Sequence, residues 1–243
     1  MDLLSGIQSS PKRMLVVVAH PGEETFPLGA LIDRYSKYAV LVGLICLTRG
    51  TSDPQLARSR ETELRKAART IGVSQLYLWS FKSPLAEADN NELTARVVQI
   101  IRLLQPQVVV ALSPGADADV TTVARVVASA VPAAADEHRF SEHLAKGLPL
   151  HQVKKLYYLT SPLPPDDAEA QDEYYPPTTV IQVAHSVRAQ RGAWAEYLSR
   201  AADIPAFEQS LAEQAGKAYL HLLQGTPSRR AGQPFEEDLF AGV

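Results

Sequence analysis

The stretch Arg13-Met-Leu-Val-Val-Val-Ala-His20-Pro-Gly-Glu-Glu24 constrains this chain more than any other. Six apolar residues in a row, rich in Val, show no polar alternation. A strand made of them must be covered on both faces, as in a parallel sheet flanked by helices. The run then stops abruptly at His20, Glu23 and Glu24, groups able to bind a metal or move a proton. In an open α/β sheet ligands sit beyond the carboxyl ends of the strands. The end of this first strand is therefore the expected floor of a site.

The rest of the chain repeats the same unit. After strand Met14–Ala19, a helix is expected over 23–38, with Leu28, Leu31, Ile32 and Tyr35 at helical spacing and Pro27 in its first turn. A second strand, 39–47, runs to the turn Thr48-Arg49-Gly50. Asp53-Pro54 opens the next helix, whose inward face is Leu64, Ala67, Ala68 and Ile71 and which Gly72 ends. Arg60 lies one turn before Leu64 on that same face, at the sheet edge that carries His20. Arg60 and Glu63 are spaced to form an i,i+3 pair. Strand 75–79 follows. Asp89-Asn-Asn-Glu92 then reads as a capping box for a helix facing inward through Val97, Ile100, Ile101 and Leu104. Strand 107–112 leads to the loop Ser113–Asp119, with Asp119 expected to cap a helix ending near Ala135. Four such βα units argue for a doubly wound, mostly parallel, Rossmann-like sheet with helices on both faces.

Later segments read as strands at 154–160 and 178–183 and as helices at 187–198 and 207–223. Residues 161–177 hold five prolines and five acidic residues and read as an irregular surface loop, with a lid or partner site as the sharper option. One α/β domain over 13–224 is expected, with an N-terminal extension, 1–12, and a C-terminal tail, 225–243, that Phe235, Leu239 and Phe240 could dock.

Bulk properties narrow the partners. With 24 basic and 27 acidic residues the net charge is −3, which gives no reason to expect a nucleic acid. No apolar run has the length of a membrane span. The single cysteine, Cys46, sits in an apolar run and reads as a buried thiol. One cysteine permits no internal disulfide. The opening residues lack a signal-peptide pattern, so a cytoplasmic location is expected. A homo-oligomer is compatible with all of this.

Several pieces, in order, resemble the LmbE/PIG-L-like zinc-dependent N-deacetylases. They are His20-Pro21-Gly22-Glu23-Glu24 where that family has His-Pro-Asp-Asp-Glu, Thr48-Arg49-Gly50 for Thr-Asp/Asn-Gly, and Arg60-Glu-Thr-Glu63-Leu64 through Ile71-Gly72-Val73 for its Arg-x-x-Glu helix. Pro106-Gln-Val-Val-Val, Lys155-Leu156-Tyr157-Tyr158 and the helix near Val187 continue the likeness, which spans about residues 13 to 200. The resemblance implies an LmbE-like fold and a zinc-assisted hydrolysis of N-acetylglucosamine-type amides. In such chemistry the metal takes three protein ligands and a water, and a carboxylate removes the water's proton.

Carried over position by position, the resemblance makes His20 the first metal ligand and Glu23 the second. Gly22 falls on the general base, a role glycine cannot fill. Asp117 falls on the oxyanion-stabilising histidine, where a carboxylate repels the developing charge. Val120 falls on the third ligand, and valine cannot bind a metal. Asp117 or Asp119 could replace that ligand, and Glu23 or Glu24 the base. Histidine plus carboxylates suits a harder divalent ion than zinc. The resemblance also places Arg60 on substrate, and Arg49 adds a second positive charge to the rim. Plainer roles fit the same residues. Glu23 and Glu24 favour a helix N-terminus, and His20 can serve a loop. His138, His143, His151, His185 and His221 share no ligand spacing, and neither Ser113 nor Cys46 has a partner for nucleophilic catalysis.

Three functions follow from these residues. The first is a degenerate family member without efficient deacetylation that keeps a cleft for a small N-acyl amino-sugar-like ligand. The second is an active metal-dependent hydrolase with a rebuilt site. The third is a non-catalytic assembly partner of an active paralogue.

Overall fold

The computed structural model describes residues 11–164 and 174–243. Most of the proline-rich acidic loop expected at 161–177 lies outside the described residues. Strands β1 (Arg13–Val18), β2 (Leu41–Thr48), β3 (Gln75–Phe81), β4 (Val108–Leu112) and β5 (Lys155–Leu159) are parallel. Strands β6 (Thr179–Gln182) and β7 (Lys217–Gln224) complete a seven-stranded sheet in the order β3-β2-β1-β4-β5-β7-β6, with β7 antiparallel to both its neighbours. The strand order reverses between β1 and β4, which opens a crevice beyond their carboxyl ends.

The apolar run of β1 is buried on both faces, as its composition requires. Met14, Val16 and Val18 pack with helices α1 (Gly29–Lys37) and α2 (Pro54–Thr70), and with α6 (Val187–Trp194) and α7 (Ile204–Gln214) further along the chain. Leu15, Val17 and Ala19 pack with α3 (Asn90–Leu104) and α4 (Ala118–Ala133). A short helix, α5 (Ser141–Ala145), follows α4. Arg102 of α3 is fully buried, and its guanidinium donates to the carbonyls of Ala133, Ala134, Asp136, Arg139 and Phe140. One side chain thus gathers the carbonyls of the end of α4 and of the turns that follow it. Cys46 is buried, its thiol facing the carbonyls of Thr48 and Ala19. No helix among the described residues is long and apolar enough to cross a membrane.

Four expectations change. The first helix begins at Gly29, six residues after Glu23. Residues 21–28 form successive turns because Gly22 takes φ +106° and the Glu24 carboxylate accepts the Gly22 N–H. Glu92 does not close a capping box: Asp89 alone caps α3 through the Asn91 N–H, and Glu92 pairs with Arg96. The segment expected as one helix over 207–223 divides. Ala215 and Gly216 take φ 48° and 72°, which ends α7, and Lys217–Gln224 enters the sheet as β7. There Ala218 and Leu220 alternate with more exposed neighbours, the period of a strand.

The fourth change concerns the C-terminal residues, expected to be a loosely held tail that Phe235, Leu239 and Phe240 could dock: Leu239 and Phe240 do dock it, and a buried carboxylate ties it down further. Glu236 is fully buried. It pairs with Lys155, accepts from the hydroxyls of Tyr157 (2.6 Å) and Thr179 (3.2 Å), and accepts the Ser228 N–H. Leu239 and Phe240 are buried beside it, and the Leu239 N–H donates to Tyr35 Oη. Phe235 stays 38% exposed. Removing one partner of a buried ion pair costs about 3–5 kcal/mol. Glu236→Ala is expected to lower the unfolding free energy by that order, read from urea midpoints at constant slope. An unchanged midpoint would show that the tail does not support the sheet.

Candidate functional site

His20 follows the end of β1, at the crevice. Its orientation is set by Thr48 at the end of β2. The Thr48 hydroxyl donates to the Ala19 carbonyl at 3.0 Å, so its oxygen is left to accept from its other two partners. Those are the Gly50 N–H (3.0 Å) and His20 Nδ1 (2.7 Å). Nδ1 therefore carries the hydrogen, and Nε2 of the neutral ring presents a lone pair to the crevice. Nε2 lies 3.4 Å from Asp119 Oδ2 and 3.9 Å from Asp117 Oδ2. Burial lowers the His20 pKa; the charges of Asp117 and Asp119 oppose this, and those of Arg60 and Arg200 reinforce it.

Two carboxylates come from the turns after His20. Glu23 Oε2 accepts the Ala19 N–H at 2.8 Å. Burial raises its carboxyl to about 8, with the negative charges of Asp117 and Glu24 adding to the effect. Glu24 is fully buried and fully bonded. It accepts from the Gly22 N–H (2.9 Å), the Thr25 hydroxyl (2.6 Å) and the Tyr197 hydroxyl (2.7 Å), and burial raises its pKa as well. Glu24 thus stabilises the turn from below and has no free oxygen facing a ligand.

Asp117 caps α4, its Oδ1 accepting the N–H groups of Asp119 (2.8 Å) and Val120 (3.1 Å). This corrects the expectation that Asp119 is the cap. Asp119 sits in the first turn, buried, and accepts from the Ser83 hydroxyl and the Leu85 N–H. It thereby joins α4 to the segment after β3. Ligand atoms of His20, Glu23 and Asp117 lie within 4.8 Å of one another. Each keeps a free lone-pair site: Nε2 of His20, Oε1 of Glu23 and Oδ2 of Asp117. This donor set fits a divalent cation, with two carboxylates where the family pattern has one.

The sequence-predicted arginines separate. Arg49 pairs with Glu61, which also holds Arg65, so its charge is compensated on the rim. Arg60 stays in the crevice, with Nη1 donating to the Gly50 carbonyl and Nε buried without a partner. It does not pair with Glu63, whose carboxylate accepts instead from the Ser199 N–H (2.9 Å) and hydroxyl (2.6 Å). That link fixes the segment carrying Arg200, a residue the sequence did not single out. A Cβ built on Gly22 would lie 2.5 Å from Arg200 Nη1 and 3.4 Å from Trp194. His151 is far from this place, bonded to the Pro106 carbonyl just before β4. Beside the cluster, Asp117 and Val120 line a cavity of about 660 Å³ between the loops after β4 and β5 and the end of α7.

Comparisons with known proteins agree with this architecture. Residues 15–131 match the family model described as PIG-L, GlcNAc-PI de-N-acetylase. The 1D-myo-inositol 2-acetamido-2-deoxy-alpha-D-glucopyranoside deacetylase of Kineococcus radiotolerans is 30% identical over 194 residues, 63% of this chain and 53% of that protein. The chain thus spans about half the length of that relative. The enzyme of the same name from Rhodococcus opacus is 28% identical across 96% of this chain and 99% of its own length. Among solved structures, the N,N'-diacetylchitobiose deacetylase of Pyrococcus horikoshii superposes with a TM-score of 0.70 at 18% identity, covering 88% of this chain and 84% of its own. The 4-carboxy-2-hydroxymuconate hydratase of Pseudomonas putida superposes at 0.74 and 15% identity, covering 91% and 100%. The fold is therefore shared by enzymes of different chemistry.

The Glu23 carboxyl gives this site a pH signature. Its pKa in the folded state, about 8, lies above the ordinary carboxyl value of 4.5. Between those values the native state holds a proton that the unfolded chain has lost, so this contribution to stability falls as pH rises. With a chelator present, Glu23→Gln is expected to flatten the decline in melting temperature between about pH 5 and pH 8. Equal slopes for both proteins would remove Glu23 as the source.

Proposed function

We propose that this chain, whose residues 15–131 match the PIG-L family model, is a degenerate member of that family. In this reading it retains a ligand cleft and cation-holding groups but hydrolyses amides poorly. The observation that carries the reading is Gly22. No carboxylate stands at the general-base position, and the guanidinium of Arg200 occupies the space in which one would start. A cation there cannot accept a proton from water. The neighbouring carboxylates do not compensate. Glu24 is bonded through both oxygens, Asp119 is bonded to Ser83 and Leu85, and Glu23 belongs to the donor cluster.

His20, Glu23 and Asp117 are the residues that would hold a metal. When bound, a divalent ion would polarise a carbonyl and acidify a water. The protein's own part is to aim His20 through Thr48, to anchor Asp117 at the start of α4 and to offer the adjoining cavity to a small N-acyl amino-sugar-like ligand. Asp117 also works against turnover. Its negative charge lies where an oxyanion would need a donor, and like charges raise that barrier. The names of the curated relatives support the ligand class, since those proteins are deacetylases of acetamido sugars.

A second reading has its own observation. The cluster of His20, Glu23 and Asp117 is compact enough to be a rebuilt metal site, as an active hydrolase would require. One experiment separates the two. The purified protein is assayed for metal content and for release of acetate from N-acetylglucosamine with zinc, manganese or magnesium added. The degenerate reading expects turnover at the level of the His20→Ala variant. Turnover that depends on added metal and disappears in His20→Ala would establish the hydrolase instead.

A further inference from the structure

Arg200 is held over Gly22 by contacts that leave part of its guanidinium free. Nε donates to Asp203 Oδ2 at 2.8 Å, Nη1 faces the Pro21 carbonyl at 3.4 Å, and the group lies 5.1 Å from the ring centroid of Trp194. Trp194 is buried and stacks on Phe207, so this platform belongs to the core. The preceding residue, Ser199, is fixed by both oxygens of Glu63. Among the described residues Nη2 of Arg200 has no hydrogen-bonding partner.

Arg60 approaches the same Pro21 from the other strand's turn. A Cβ on Gly50 would meet Arg60 Nη1 at 2.8 Å and Pro21 Cδ at 3.3 Å. Nε of Arg60 is buried and unpartnered, and its Nη2 also lacks a partner among the described residues. Both guanidinium groups lie near enough to His20 for their charges to act on it. A buried donor left without an acceptor, as Arg60 Nε is, is costly, and two arginines with open donors on either side of Pro21 supply the chemistry that binds an oxyanion.

We infer that Arg200 occupies the place of the side chain missing at position 22 and that, with Arg60, it binds a carboxylate or phosphate group carried by the cleft's ligand. The glycine and the arginine are then one coupled change. Without a Cβ at 22 the guanidinium can enter, and what was room for a base becomes a site for an anion. The inference rests on the proposed function only for the amino-sugar part of the ligand; the anion site can be probed alone.

The test is calorimetric titration of the whole protein, with a chelator present so that no metal bridges the anion. The probes are inorganic phosphate, N-acetylglucosamine, N-acetylglucosamine 6-phosphate and N-acetylmuramic acid. At least one of the two charged sugars is expected to bind about tenfold or more tighter than the neutral one, the scale of a hydrogen bond to a charged group. Arg200→Ala and Arg60→Ala should each erase that advantage, and Arg200→Lys should keep part of it. Which charged sugar gains distinguishes a phosphate from a carboxylate. Phosphate binding that Arg200→Ala abolishes, with no sugar bound more tightly than phosphate, would uphold the anion site and remove the amino-sugar reading. Equal affinity for charged and neutral sugars, or binding of none of the probes, would overturn the inference. A double-mutant cycle tests the coupling. Gly22→Asp is expected to destabilise the protein, and Arg200→Ala in the same chain to restore part of the loss, whereas strictly additive effects would refute shared space.

Discussion

The hydroxyl of Thr48 ties together everything at the crevice. It closes the ends of β1 and β2 by donating to the Ala19 carbonyl, and its oxygen accepts the Gly50 N–H and orders the His20 ring. A hydroxyl has one hydrogen to give, so its use on Ala19 fixes the sense of the other two bonds. His20 then has to present Nε2 outward. The parallel pairing of β1 with β2 makes this possible, because it brings two consecutive strand ends to one edge.

Around that point, polar residues that share one short motif have separate duties. Glu24 supports the turn from within, and Glu23 bonds the Ala19 amide while keeping one oxygen for the crevice. Asp117 both starts α4 and faces His20, and Asp119 braces α4 against the segment after β3. The acidic residues therefore do structural work first, and Glu23 and Asp117 also join His20 in the donor cluster, while Asp119 Oδ2, though near His20, is taken by the Ser83 hydroxyl. The C-terminal half contributes from the far side of the chain. Tyr197, Ser199 and Arg200 each contact the early motif or its neighbour α2. The site is thus a junction between the first strand and the last third of the molecule.

Much of this was legible in the residues because it is local and periodic. The Val-rich runs of β1 and β4 could only be doubly covered strands. The inward face of α2 followed from Leu64, Ala67, Ala68 and Ile71, and with it the placing of Arg60 in the crevice. The helix expected at 207–223 failed for an equally local reason: a short apolar strand after a helix carries no distinct period until the break at Ala215 and Gly216 is given weight. Asp117 and Asp119 were interchanged as cap because both precede the same apolar face, and only the backbone turn decides which carboxylate reaches the free amides.

What the sequence determined by itself was the class of sheet, the resemblance to the PIG-L family over residues 15–131 and the presence of a glycine, with no side chain, at position 22. Those are properties of residue type and near-neighbour order. The tertiary structure alone decided what fills the space that Gly22 leaves. Arg200 arrives there through a chain of contacts, from Glu63 to Ser199 and from Trp194 to the guanidinium, that joins segments distant in sequence. No spacing rule encodes such a meeting, because loop closure and core packing set it only once the whole sheet has formed. The tertiary structure likewise turned Arg49 to Glu61 and left Arg60 with open donors, a difference between two arginines that their residue type does not contain.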